Sequence, residues 1–164
     1  MKISYRKAEK KDIPVIHRFI RELAKYEKLE NEVVATRALL EETLFGKRRY
    51  AEVILTEVDG DEAGFVLFFH NYSTFLAKPG IYIEDLYVRP EYRGKGLGKG
   101  LLKYIASLAM ERRCGRVEWW VLNWNPARKF YDSIGAEAMN EWVVYRLTGD
   151  KLAALATEAE STNL

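Results

Sequence analysis

Glycine occupies every second position from 94 to 100 in Arg93-Gly94-Lys95-Gly96-Leu97-Gly98-Lys99-Gly100, between a run that reads as a strand and one that reads as a helix. Each glycine near a helix interior costs about 1 kcal/mol relative to alanine, so four alternating copies call for a backbone reason. Alternation lets successive amide N–H groups point into one concave nest, and the helix start adds partial positive charge. An anion such as a pyrophosphate suits that arrangement. Arg93, Lys95 and Lys99 can surround it with full charges. The competing reading is a flexible turn with no ligand. Two other phosphate loops are excluded. A G-x-G-x-x-G fingerprint begun at Gly94 ends on Lys99, and one begun at Gly96 ends on Leu101. A P-loop built on Gly98-Lys99 needs glycine at 93 and Ser or Thr at 100, where the chain has Arg93 and Gly100.

The flanking sequence sets the frame for this turn. Residues 2–7 read as a strand. Asp12 reads as an N-cap with Pro14 in the first turn, and Ile13, Ile16, Ile20, Leu23 and Ala24 give helical spacing to about 27. A second helix fits 36–45, with Gly46 closing it. Residues 51–57 alternate as a strand, and Asp59-Gly60 is a hairpin signal. The apolar run 64–69 predicts a strand buried on both faces. Pro79-Gly80 predicts the next turn, and 81–88 the following strand, ended by Pro90. Leu97, Leu101, Leu102, Ile105, Leu108 and Ala109 predict a helix ending near 113–115. A strand at 117–122, a helix opened by Asn125-Pro126, a last strand at 142–147 and a helical tail at 151–159 complete the order. That order, β-α-α-β-β-β-α-β-α-β, predicts a mixed, mostly antiparallel central sheet with helices on both faces, at the border of α/β and α+β. Residues 1–164 fit a single domain.

Composition narrows the function classes. A net charge of +2 supplies no broad basic field for nucleic acid. One cysteine, Cys114, permits no intramolecular disulfide and suits a reducing cytoplasm. It follows Arg112 and Arg113 but has no obvious relay, so it reads as a plain helix-end residue. The start of the chain lacks a signal-peptide run, and no segment approaches the roughly 20 apolar residues of a membrane span. His17 and His70 lack partners at ligand spacing, so no metal site is expected.

The stretch Val88-x-x-x-Tyr92-Arg93-Gly94-Lys95-Gly96-Leu97-Gly98 resembles the pyrophosphate loop of the GNAT N-acetyltransferases, whose pattern is Arg/Gln-x-x-Gly-x-Gly/Ala. The likeness runs over nearly the whole chain and is nearest to diamine acetyltransferases of the spermidine/spermine type. It is carried by Arg21-Glu22-Leu23-Ala24-Lys25-Tyr26-Glu27, Tyr82-Ile83-Glu84-Asp85-Leu86-Tyr87-Val88, Trp124-Asn125, Phe130-Tyr131 and Gly135-Ala136. Two departures stand beside it. Residues 125–131 look one residue shorter than in the vertebrate enzymes, and Val117-Glu118-Trp119-Trp120 carries two indoles where those enzymes have smaller or different groups.

The resemblance implies a GNAT fold, acetyl-CoA as cofactor and a small-molecule primary amine as acceptor. Removing the proton of an alkylammonium of pKa about 10.4 at pH 7 costs roughly 4–5 kcal/mol, so a base is needed. Adjacent Glu84 and Asp85 should face opposite sides of their strand. The resemblance makes Glu84 the candidate base, against the plainer reading of a solvent-facing carboxylate, and leaves Asp85 to structure or substrate charge. It makes Tyr131 the acid to the leaving thiolate, against packing. It gives the backbone of Leu86, Tyr87 and Val88, the loop from Arg93 through Lys99, and Asn125 and Arg128 to the cofactor. It gives Tyr26, Glu27 and Glu141 to a cationic substrate. Trp119 and Trp120 straddle the two faces of their strand, so one could line the amine pocket, against the plainer reading of each as a core residue. No Cys–His or Ser–His pair is evident, so direct transfer without an acyl-enzyme is expected. Family members commonly form homodimers. The rivals are acetylation of a protein amine or an aminoglycoside, an acyl-CoA sensor without turnover, and a nucleic-acid module using the basic residues of 89–103.

Overall fold

The computed structural model describes residues 1–161, which form two compact units divided between Leu122 and Asn123. In the first unit the elements are β1 (Ile3–Lys7), α1 (Ile13–Tyr26), α2 (Arg37–Phe45), β2 (Glu52–Val58), β3 (Asp61–Ser73), β4 (Lys78–Val88), α3 (Leu97–Glu111) and β5 (Val117–Trp119). The five strands lie in sequence order; β1 to β4 pair antiparallel, and β5 runs parallel to β4. The expected mixed sheet is therefore present.

Alternation along the strands assigns the two faces. Val53 and Leu55 of β2 and Phe65 and Leu67 of β3 share a core with Ile16 and Phe19 of α1, Leu40 and Leu44 of α2, and Tyr87 of β4. The intervening Ile54, Val66 and Phe68 are buried on the opposite face, where α3 crosses the strands with Leu101, Leu102, Ile105, Leu108 and Ala109 turned inward. Each such side chain removed from water contributes about 1.5–3 kcal/mol, which holds helices to both faces of the sheet.

Local chemistry explains most element ends. Thr36 caps α2 by accepting from the Leu39 N–H at 3.2 Å. Asp59 and Gly60 both take positive φ, 52° and 94°, the turn that matches strand twist in a two-residue hairpin. Asp12 stands at the start of α1, but its carboxylate turns away from the helix. It accepts from the Glu9 N–H at 2.7 Å and from the Arg6 guanidinium at 2.7 and 3.0 Å. Arg6 holds that carboxyl below the ordinary carboxylate range, against the opposing effect of burial.

Three expectations are corrected. Pro79 and Gly80 are no turn: they lie within β4, paired with Tyr72 and Asn71, and the turn falls at 74–77, with Ala77 at φ 50°. A Cβ at Gly80 would strike the Asn71 side-chain oxygen and crowd the Arg116 carbonyl at 3.3 Å. The main chain at 115–116 is tied to this point by Gly115 N–H to Pro79 O (2.8 Å) and Ile81 N–H to Arg116 O (3.0 Å). The strand expected over 117–122 stops at Trp119.

The third correction falls in the second unit, which contains α4 (Ala127–Ser133) and α5 (Gly149–Ser161). Residues 142–147 form no strand. Trp142, Val144 and Tyr145 are exposed there, and without a ladder partner a run rich in β-branched and aromatic residues has nothing to satisfy its backbone as a strand. Asn125 does open α4, its Oδ1 accepting from the Ala127 N–H at 2.9 Å, and Gly135 follows α4 at φ 87°.

Candidate active site

At the start of α3 the sequence supplies a backbone cradle. Gly94 and Gly96 take φ of 74° and 84°, and Gly96 occupies the N-cap in the left-handed region that a side chain resists. No side chain caps α3, so the amides of its first turn face outward without an intrahelical acceptor. A Cβ built on Gly94 or Gly96 would meet nothing within 4 Å, so the concave side of the nest is open. The residues present therefore fit a diphosphate: donors converge, the helix end favours negative charge, and the approach is clear.

The charged side chains around this nest divide their work. The Arg93 guanidinium lies 4.9 Å from the Tyr26 ring centroid and 5.7 Å from that of Tyr87, and its Nε donates to the Val88 carbonyl at 2.8 Å. Arg93 thus fastens the loop to β4 and the end of α1, where the sequence alone suggested a charge turned toward the anion. Lys95 sits 5.4 Å from the Tyr92 ring centroid. Lys99 is exposed on the first turn of α3, and Leu97 is buried beneath it.

Strand β4 carries the second half of the site. Ile81, Tyr82 and Ile83 pair with Val117, Glu118 and Trp119, after which β5 ends while β4 continues to Val88. Among the described residues, no strand pairs with that edge of 84–88, so the backbone of Leu86, Tyr87 and Val88 is available along it. Tyr87 offers only backbone: its side chain is buried, and its hydroxyl donates to Glu22 at 2.8 Å. Burial first, then Glu22, pushes that phenol up to about 12.

Between β3 and β4 the register slips: Leu67 pairs with Asp85 and Phe68 with Ile83, leaving Glu84 as the extra residue of a bulge. A bulge sets two residues against one and breaks simple alternation. The opposite-face expectation for Glu84 and Asp85 therefore does not describe this strand. Burial, followed by the charges of Glu84 and then Glu27, pushes the Asp85 carboxyl up to about 7. Glu27, just beyond α1, is raised by burial and then by Glu84. Tyr82 is raised by burial, then Glu84, then Glu118. The fold thus brings the carboxyls of Glu27, Glu84 and Asp85 near enough to oppose one another's charge, and Tyr26, next to Glu27, lies under Arg93.

In the second unit, Asn125 opens α4, and Arg128 and Tyr131 lie along it. Asn125 is committed to capping, and Arg128 donates to the Asn123 carbonyl at 3.0 Å. Tyr131 is half-buried, its ring 5.7 Å from that of Phe130. Glu141 is exposed beyond α4. In the first unit Trp119 is half-buried on β5, and Trp120, just past its end, is exposed.

Cys114 has more around it than its sequence neighbours indicate. His70 Nδ1 is 3.9 Å from its sulfur, but that nitrogen also lies 2.9 Å from the Gly80 carbonyl, and Nε2 faces Arg112 at 2.8 Å. Arg112 in turn holds Glu52 through two contacts of 2.6 and 2.8 Å. The imidazole is engaged in a structural network.

A cradle for a diphosphate at a helix start, beside a parallel strand pair that parts, defines an acyl-CoA-handling fold. The chain belongs to the Acetyltransferase (GNAT) family, whose model matches residues 17–136. It is an acetyltransferase, and its donor is acetyl-CoA. The chain is 38% identical to L-ornithine N5-acetyltransferase NATA1 of Arabidopsis thaliana, over 88% of this chain and 83% of that one. It is 34% identical to thialysine N-epsilon-acetyltransferase of Bos taurus, over 94% and 97%. Among solved structures, an integron cassette protein of V. cholerae is similar with a TM-score of 0.79 and 28% identity, covering 95% of this chain and 98% of that one.

Proposed function

We propose that this protein acetylates a primary amine of a small diamine: a polyamine or a lysine-like amino acid. The observation that carries the reading is the convergence of Glu27, Glu84 and Asp85 on the bulged part of β4. Two of these carboxyls resist ionising together with their neighbours, and a cation entering among them relieves that repulsion. The relatives named for ornithine and thialysine acetylation support the same acceptor class.

Acetyl-CoA supplies an activated acetyl thioester. The amine nitrogen forms a bond to the acetyl carbon, the carbon–sulfur bond breaks, the amine proton leaves to a base and the thiolate takes one up. In our reading Glu84 is that base, directly or through water, and Asp85 and Glu27 hold the second positive charge of the acceptor. Tyr26 offers its ring to the acceptor's cationic end. Backbone N–H groups of Leu86, Tyr87 and Val88 polarise the acetyl carbonyl, and residues 93–99 bind the diphosphate. Tyr131 as acid, Asn125 and Arg128 toward the cofactor, and Glu141 toward the acceptor rest on the family resemblance, whereas Trp119 is assigned to the acceptor only from its place on β5. We treat the chain as one catalytic domain, because the family match at 17–136 runs through residues of both units. A cytoplasmic homodimer completes the proposal. It draws on the same resemblance, on the single cysteine, and on the exposed run containing Trp142, Val143, Val144 and Tyr145. No described helix is long and apolar enough to cross a membrane.

The test is an acceptor panel read by thiol release. Ornithine, thialysine and spermidine are expected to be acetylated, with peptide amines and aminoglycosides at least tenfold poorer in kcat/KM, about 1.4 kcal/mol of discrimination. Peptide turnover above all small diamines would sink the acceptor assignment, and tight CoA binding without turnover on any amine would favour a sensor.

A further inference from the structure

Glu118 of β5 pairs with Tyr82 of β4, so the two side chains share a face of the sheet. Its Oε1 lies 2.8 Å from Arg116 Nε and accepts from the Asn71 amide at 3.1 Å. We propose that Arg116 and Glu118 receive the α-amino-acid head of the acceptor. The guanidinium takes its carboxylate, Glu118 and the Tyr82 hydroxyl take its α-ammonium, and the acceptor is thereby a basic α-amino acid. The proposal rests on β4 carrying the acceptor beside Glu84, and it decides between the two acceptor kinds named above. A polyamine has its second charge held by Asp85 and Glu27, whereas an amino-acid head has its own place at Tyr82.

Three observations converge. First, the pair is fixed with donors and an acceptor to spare. The Arg116 Nη groups and Glu118 Oε2 make no hydrogen bond among the described residues, and the two side chains keep 41% and 36% exposure. A guanidinium edge suits a carboxylate and a carboxylate oxygen suits an ammonium, and an α-amino acid carries both charges on one carbon. Arg116 also discriminates, because a polyamine extended toward β5 meets a cation there. Second, the reach is right. Glu118 lies one strand over and two residues back from Glu84, on the order of 8 Å between Cα atoms. The side chain of ornithine or lysine spans that separation, which puts its terminal amine at Glu84 when its head is at Arg116. Third, Tyr82 stands between the two carboxylates. Its ring lies 5.4 Å from that of Phe69, and its hydroxyl makes no hydrogen bond among the described residues. Burial, then Glu84, then Glu118 raise that phenol, as a place between the two requires.

Gly80 fits this account. Asn71 of β3 pairs with Gly80 of β4, and its side chain crosses over the missing Cβ to reach Glu118 on β5. Asn71 Oδ1 is left buried without a hydrogen-bond partner among the described residues. An orphaned acceptor carries a desolvation cost, and here it accompanies an amide N–H aimed at Glu118. The segment that carries Glu118 is also where the chain departs from the vertebrate diamine enzymes it resembles.

The experiment is steady-state kinetics of the full chain with acetyl-CoA and three acceptors. These are ornithine, putrescine (ornithine without its carboxylate) and δ-aminovalerate (ornithine without its α-ammonium). The native protein should favour ornithine over each truncated acceptor by about tenfold or more in kcat/KM. Arg116→Ala should cut the preference for ornithine over putrescine several-fold, through KM for ornithine and not through kcat. Glu118→Gln should cut the preference for ornithine over δ-aminovalerate in the same way, with the fold of both variants verified by circular dichroism. A native protein that turns over putrescine as well as ornithine overturns the proposal, as does an equal loss on ornithine and putrescine in Arg116→Ala. Turnover of peptide amines and of none of these small amines would remove the acceptor reading itself, a result distinct from small-amine turnover without discrimination.

Discussion

Asp85 is where the fold stores electrostatic tension. Its carboxyl titrates at about 7 in the folded chain because burial and two neighbouring carboxylates oppose its charge, while an unfolded aspartate titrates at about 3.9. The neutral form is favoured by folding, so the associated stability is fully present below about pH 4 and is lost as the pH rises through 7. Asp85→Asn should therefore gain on the native protein as pH rises, by about 4–8 °C in Tm at pH 8 relative to pH 5. Parallel melting curves at the two pH values would show that these carboxyls carry no such tension. In the proposed mechanism the same residue cluster sets the pH dependence of catalysis. Glu84→Gln should flatten the alkaline rise in rate, and an unaltered profile would remove Glu84 as the base. Tyr131→Phe should lower kcat about 10²-fold, in the range of a lost general acid, with acetyl-CoA affinity preserved. Full activity would return Tyr131 to packing. These residue types were legible in the sequence as candidates; their coupling was not. Glu27 lies far from Glu84 along the chain, and the bulge that puts Glu84 out of register belongs to the pairing of two strands, which neither strand records by itself.

Elements show the same division between local and distant causes. The strand, nest and helix spanning 81–111 were readable because glycine spacing, the strand's apolar run and the helix's apolar stripe all act locally. Asp59-Gly60 was readable for the same reason. Pro79-Gly80 misled because proline and glycine mark turns by local preference, whereas here the Asn71 side chain, and less closely the Arg116 carbonyl, crowd the place of a Cβ at residue 80. The β-branched and aromatic run at 142–147 misled in the opposite sense, since such a run makes a strand only when another strand completes its ladder. The nest makes the sharpest prediction at this scale. Gly96→Val forces a β-branched residue to φ 84°, at a cost of about 1–2 kcal/mol, and places a side chain in the open side of the cradle. CoA affinity should fall at least tenfold by calorimetry, and unchanged affinity would refute the loop assignment.

At the scale of the molecule, the meander of the first unit makes β4 the strand on which the proposed reaction centres. Its edge beyond residue 83 is released by the end of β5, its bulge carries the opposed carboxyls, and its last residue is held by Arg93 at the lip of the nest. Donor and acceptor readings therefore meet on a single strand. Sedimentation velocity should give the mass of a dimer, and a monomer at micromolar concentration would remove the homodimer from the account.

The central claim is that the amides at 94–99 grip the diphosphate of acetyl-CoA. A crystal structure of the CoA complex tests it most directly. The account predicts both phosphates within hydrogen-bonding distance of those amides and the pantetheine sulfur beside Leu86, Tyr87 and Val88. A diphosphate seated away from the start of α3 would contradict it.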